Sequence, residues 1–304
     1  MKTPTRFLAA AGVLAGALLL VAWGEAGHRM TGEAAALSVP GSMPAFFRRA
    51  SKQLGYINPE PDRWKDRVER DADRALDGAF NADHFIDTEM VPPDVLAAAL
   101  RAPNRYAYAD TLREAGVDAT VFGFLPFSIL EYAQRLRVNF RMWRTAPDSL
   151  KPFIEARIID DAGLLGHFVA DGSNPLHTSD QYNGWTRANP SGYATDKQTH
   201  ARFESGYVGK RIKLADVMAK MDTNARVLPD FREAIVAYLR ESNAQMIPFY
   251  ELDRASRFDT STTAAVNKAF TVDRLAFGAK MLRDLWWTAW VTSAPAPGRG
   301  RSGE

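Results

Sequence analysis

Residues 152–169 read PFIEARIIDDAGLLGHFV, and Ala170 and Asp171 follow directly. Apolar positions recur at helical steps through this stretch, which is expected to be a long apolar helix. His167 and Asp171 stand four apart, so on that helix they share one face and could grip a single metal ion. Working outward, residues 131–143 (EYAQRLRVNFRMW) have one apolar and one basic face, and residues 229–246 and 272–291 show the same period near 3.6. Pro229 suits the first position of its helix. Clusters rich in Pro and Gly separate these segments, as at Asn58-Pro59-Glu60-Pro61 and Asn189-Pro190-Ser191-Gly192. Alternating, β-branched strand patterns are missing beyond Trp23. The expectation is one all-α domain over residues 23–292, with a flexible tail at 293–304 (SAPAPGRGRSGE).

Composition narrows the chemistry. The chain of 304 residues is 46% hydrophobic and 24% charged, a globular balance that excludes a disordered or fibrous protein. Lys and Arg number 38 against 36 Asp and Glu, so no strongly basic field points to nucleic acid. The absence of Cys excludes disulfides and thiolate metal sites. Imidazole chemistry must come from five residues: His28, His84, His167, His177 and His200.

The N-terminus reads as an export signal. Lys2 and Arg6 precede an uncharged run of 16 residues, 7–22, shorter than the roughly 20 of a spanning helix. Cleavage between Ala22 and Trp23 would give a secreted or periplasmic protein and remove two basic residues, taking the formal charge from +2 to zero. A cut after Ala26 satisfies the small-residue rule better, because Leu20 is not small.

Acids accompany the histidines. His200 and Glu204 form a second pair at helical spacing, and Asp83 and Asp87 flank His84. In Asn174-Pro175-Leu176-His177, Pro175 breaks the helix, so His177 arrives from a turn. Any one pair alone reads as an ordinary salt bridge. Four of five histidines close to an acid, without thiolate, suit zinc in a catalytic site.

Read in order, Trp23-x4-His28, Trp64-x-Asp66, His84-Phe85-Ile86-Asp87, Gly166-His167-x3-Asp171, Asn174-Pro175-Leu176-His177 and His200-x3-Glu204 resemble the zinc-dependent phospholipase C and S1–P1 nuclease superfamily. The resemblance covers roughly residues 23–207. It implies an all-α fold with three zinc ions in a cleft. One ion would be held by Asp66, His84, His167 and Asp171, and a second by His177, His200 and Glu204. The third would use the free amino group and carbonyl of Trp23, with His28 and a bridging Asp171. Asp66 and Asp171 would be the catalytic carboxylates, and a water between zincs would attack the phosphorus of a phosphodiester. Asp87 is expected to orient an imidazole or to be a surface acid, and Trp64 to be a buried core aromatic.

The resemblance implies a hydrolase of phosphate esters that acts as a monomer with transient membrane contact. Two substrates compete: phospholipid head groups and single-stranded nucleic acid. Glu204 in the last pair, and Thr178-Ser179-Asp180 where the nucleases carry Gly-Gly-Asn, lean toward phospholipase C. Tyr182, Trp185 and Tyr193 could stack a base, line a lipid pocket or fix the loop. The non-enzyme alternative is an exported helical protein that binds lipid or a partner through Arg135, Arg137, Arg141 and Arg144. Such a face is usually only solvated, and Arg144→Ala should then be without effect.

Overall fold

A computed structural model describes residues 24–295. Residues 1–22, expected to be an export signal, lie outside the described residues, as do Trp23 and positions 296–304. Within them the chain forms helices, turns and loops, and no strand. Five helices carry the architecture: α1 (Gly24–Leu37), α2 (Leu125–Thr145), α3 (Lys151–Ser173), α4 (Phe231–Asn243) and α5 (Ala265–Thr292). No helix among the described residues is long and apolar enough to cross a membrane.

Helix α3 is the axis. It starts one residue before Pro152, which sits in the first turn where its missing N–H costs nothing. From Ala162 to Ser173 every residue is buried, because α1, α2 and α5 all pack on it. The segment Ser51–Ile57 packs on both α1 and α3, and glycines make this approach possible. A Cβ at Gly163 would overlap Ile57, and one at Gly166 would overlap the Asn58 carboxamide. Gly32 of α1 borders the same carboxamide, 2.6 Å from where its own Cβ would stand. Gly166→Ala should therefore cost about 1–3 kcal/mol as an overpacked core. Urea unfolding checks this, with Gly209→Ala, which meets nothing within 4 Å, as a neutral control.

The other helices differ from their expected limits for local reasons. α2 begins at Leu125 because Pro126 fits its first turn and residues from Leu125 to Leu130 are buried. Pro229 is not the first residue of α4. Asp230 caps that helix by accepting from Glu233 N (2.9 Å), so Pro229 precedes the cap. The segment also ends at Asn243, and a new helix, Met246–Ala255, follows. α5 begins at Ala265, ahead of the expected 272.

The basic face of α2 is largely engaged. Arg135 pairs with Asp161 at 2.6 Å, and Arg137 lies over the Phe231 ring. Arg144 stacks 3.4 Å from the Trp290 ring centroid and donates to Trp290 O and Ser293 Oγ. Arg144 thus ties α2 to the end of α5, and its removal should cost stability rather than nothing. Arg141 is exposed and is the better control.

Candidate metal centre

His167 and Asp171 project from the buried half of α3 on one face, with His167 Nε2 3.2 Å from Asp171 Oδ2. His84 comes from the turn Asn81–His84 and lays Nδ1 2.9 Å from His167 Nε2 and 3.0 Å from Asp171 Oδ2. Three ligand atoms on a tetrahedral zinc with bonds near 2.0–2.1 Å would stand about 3.3 Å apart, so this triangle fits one corner set. His28, from α1, stacks on His167 with ring centroids 4.1 Å apart and places Nε2 3.4 Å from Asp171 Oδ1.

The second acid of this inner group is Asp62. Its oxygens lie 3.8 Å from His28 Nε2, 3.8 Å from His84 Nδ1 and 3.9 Å from His167 Nε2. Asp66, expected as a zinc ligand and catalytic carboxylate, is not brought here. It is exposed and caps the short helix Arg67–Ala72, accepting from Glu69 N at 2.9 Å. The pattern Asp66-x-x-Glu69 is itself a helix-start signature, so the sequence carried a reason to read Asp66 as a cap.

A second group lies beside the first. Glu204 Oε1 is 3.0 Å from His177 Nε2 and 2.8 Å from His200 Nε2. His177 sits on the turn Pro175–His177 that ends α3, as its Pro implied. Glu204 belongs to a π-helical stretch, Arg202–Val208, a local widening common at functional sites. Asn174 secures both ends of this group: its Oδ1 accepts from Leu176 N and its Nδ2 donates to Glu204.

Three imidazoles are held by oxygen atoms on their far side. His167 Nδ1 donates to Asn58 O (2.9 Å), His28 Nδ1 meets Asn58 Oδ1 (3.2 Å), and His177 Nδ1 donates to His84 O (2.7 Å). With Nδ1 protonated, the Nε2 of His28 and that of His167 are lone pairs, whereas His177 Nε2 has Glu204 as its partner. These lone pairs face carboxylate oxygens, acceptor against acceptor, in a buried space. His28 Nε2, Asp62 Oδ2 and Asp171 Oδ1 are buried with no hydrogen-bond partner. Unmatched buried acceptors of this kind cost about 1–3 kcal/mol each, and a cation between them would remove that cost. Three His and acid sets have ligand atoms within 4.8 Å of one another: His28, Asp62, His167; His84, His167, Asp171; and His177, His200, Glu204. The first two share His167, whose Nδ1 is committed to Asn58, so His167 can serve only one ion.

Electrostatics agree with this arrangement. Burial would raise the Asp62 carboxyl, but His167, Lys65, His84 and His28 outweigh it and lower it to about 2. Burial is likewise outweighed at Glu204, which His200 and His177 hold at about 2. Against its burial, His177 and His167 keep Asp171 well below the usual carboxylate range. Burial lowers His84 to about 3, and Lys65 and His167 add to the effect. His177 is opposite: burial pulls it down, yet Asp171 and Glu204 raise it to about 9.

A cleft of about 600 Å³ opens on the second group and on His84, with Lys65, Phe85, Asp87, Tyr182 and Lys197 in its walls. Asp87 does not supply the oxygens that orient the imidazoles; Asn58 and His84 do. Asp87 is instead a buried cleft wall, raised to about 7 by burial and by Asp180 and Glu89 against His177. Trp64 is only half-buried and packs on Phe80. Trp185 and Tyr193 pack on each other and on Tyr250, fixing their loop, whereas Tyr182 reaches the cleft. Sequence reasoning missed Asp62, Asn58 and the cleft lysines. No family model, curated protein or solved structure matches the chain.

Proposed function

We propose that the protein is a zinc-dependent hydrolase of phosphate esters, above all phosphodiesters, with about three ions per chain. The observation that carries this reading is the set of imidazole lone pairs aimed at buried carboxylates beside an open cleft. Asp62, His84, His167 and Asp171 would hold one ion, and His177, His200 and Glu204 another. His28 and Asp171 would contribute to a third, completed by the amino group and carbonyl of Trp23, which export and cleavage would free. Bound there, zinc supplies Lewis acidity and an activated water. The chain does the rest. Asn58, His84 O and Asn174 fix the ligand orientations. The surrounding helices keep water from the inner carboxylates, and Lys65, 3.0 Å from Asp62, adds positive charge at the wall where a phosphate would enter.

Three carboxylates against three divalent ions leave a cationic site that favours anionic substrates. Glu204 leans toward the phospholipase reading, while two lysines in the cleft wall favour single-stranded nucleic acid. Release of phosphocholine from lecithin against acid-soluble nucleotides from denatured DNA decides between them. Activity on neither, or activity untouched by exhaustive chelation, would refute the proposal.

Metal uptake should expel protons at neutral pH. With its pKa raised to about 9, metal-free His177 is protonated at pH 7, and a ligand nitrogen must give that proton up. Titration calorimetry of zinc into the metal-free protein should show heats that change with buffer ionisation enthalpy. Affinity should fall as pH drops, since protons compete for the same nitrogens.

A further inference from the structure

Lys197 is the one non-glycine residue among the described residues with a left-handed backbone, at φ 54°. An L-residue with a Cβ is strained there, and Gly or Asn would fit the backbone better. The surrounding loop enforces it. Gly184, at φ 107°, lies so close that a Cβ on it would stand 3.3 Å from Lys197 N. Gln198 N donates to Asp196 Oδ1, closing the turn about Lys197. Strain retained at a cleft wall is a common mark of a side chain put to use.

The charge at this position is unspent. Its neighbour Asp196 is taken by Arg257, and Lys197 has no ion pair among the described residues. The cleft's other lysine, Lys65, is tied to Asp62. Lys197 stands three residues before His200 in sequence, and both residues border the same cleft. Tyr182, half exposed, borders it too and meets His200 edge-on. A free cation, an exposed aromatic ring and the metal group on one cleft suit a strand that carries a phosphate at every residue. A zwitterionic lipid head group offers a single phosphate and a cation that Lys197 would repel.

We propose that Lys197 is a specificity-determining residue that takes the phosphate next to the scissile one along single-stranded nucleic acid. This rests on the phosphodiesterase reading above. The test uses the zinc-loaded mature protein and a fluorescent phosphorothioate oligothymidylate, with binding followed by anisotropy across salt concentrations. Lys197→Met should weaken binding roughly five- to tenfold at low salt and reduce the slope of log K against log salt by about 0.7, the loss of one phosphate contact. Lys197→Gly should lose the same binding while gaining about 2 °C in Tm, because the strain is relieved. Lys197→Arg should keep the slope, and exposed Lys210→Met serves as the control. An unchanged slope in Lys197→Met overturns the proposal. So does Lys197-dependent binding to phosphatidylglycerol vesicles with none to the oligonucleotide. Hydrolysis of bis(p-nitrophenyl) phosphate by the unaltered protein tests the phosphodiesterase reading separately, since its failure leaves the salt slope measurable.

Discussion

Asp171→Asn is expected to strip more than one zinc ion from the protein and to lower phosphodiesterase activity roughly 100-fold or more, since even outer partners of a metal site are worth 10–100-fold. The side chain sits at the crossing of the whole centre. Its Oδ2 faces His84 and His167 at 3.0 and 3.2 Å, and its Oδ1 faces His28 and His177 at 3.4 and 3.7 Å. Asparagine preserves the shape but removes the charge that lets cations lie close together, and its NH2 would turn a donor toward ring nitrogens or metal. Arg141→Ala, on the exposed side of α2, should change neither metal content nor rate. Three zinc ions and near-normal turnover in Asp171→Asn would eliminate a bridging role.

The second large effect separates two acids four residues apart. Asp62→Asn should cost metal and activity on a scale near that of Asp171→Asn, because Asp62 is buried against His28, His84 and His167. Asp66→Asn should leave both unchanged. Its carboxylate caps an exposed helix, and Asn caps nearly as well, so stability should move by no more than a few tenths of a kcal/mol. Elemental analysis of the two variants side by side checks the assignment. Zinc lost from Asp66→Asn and retained by Asp62→Asn would reverse it.

What was legible in the sequence follows from where the information lies. The long helices announce themselves through apolar period, and His167–Asp171 and His200–Glu204 meet because helical spacing alone puts them on one face. Helix starts were harder: Pro126 and Pro152 open their helices, whereas Pro229 yields to the stronger cap at Asp230. Asp62 and Asp66 have the same side chain and sit one turn apart. Only the docking of Ser51–Ile57 and the chain after it onto α1 and α3 decides which acid turns inward. Asn58 acts partly through its backbone carbonyl, which any residue has, so no residue type could reveal it. The glycines that make room for it, Gly32 and Gly166, lie far away in sequence. Lys197 was invisible for a related reason: its strain is imposed by the loop, and lysine does not advertise a left-handed backbone.

The most direct measurement is the metal content of the mature protein, purified without chelator and analysed by inductively coupled plasma mass spectrometry. About three zinc ions per chain are expected, all removable by acid or strong chelation. One ion or none, in protein that remains folded and was supplied with zinc during expression, would contradict a trinuclear centre built on these histidines.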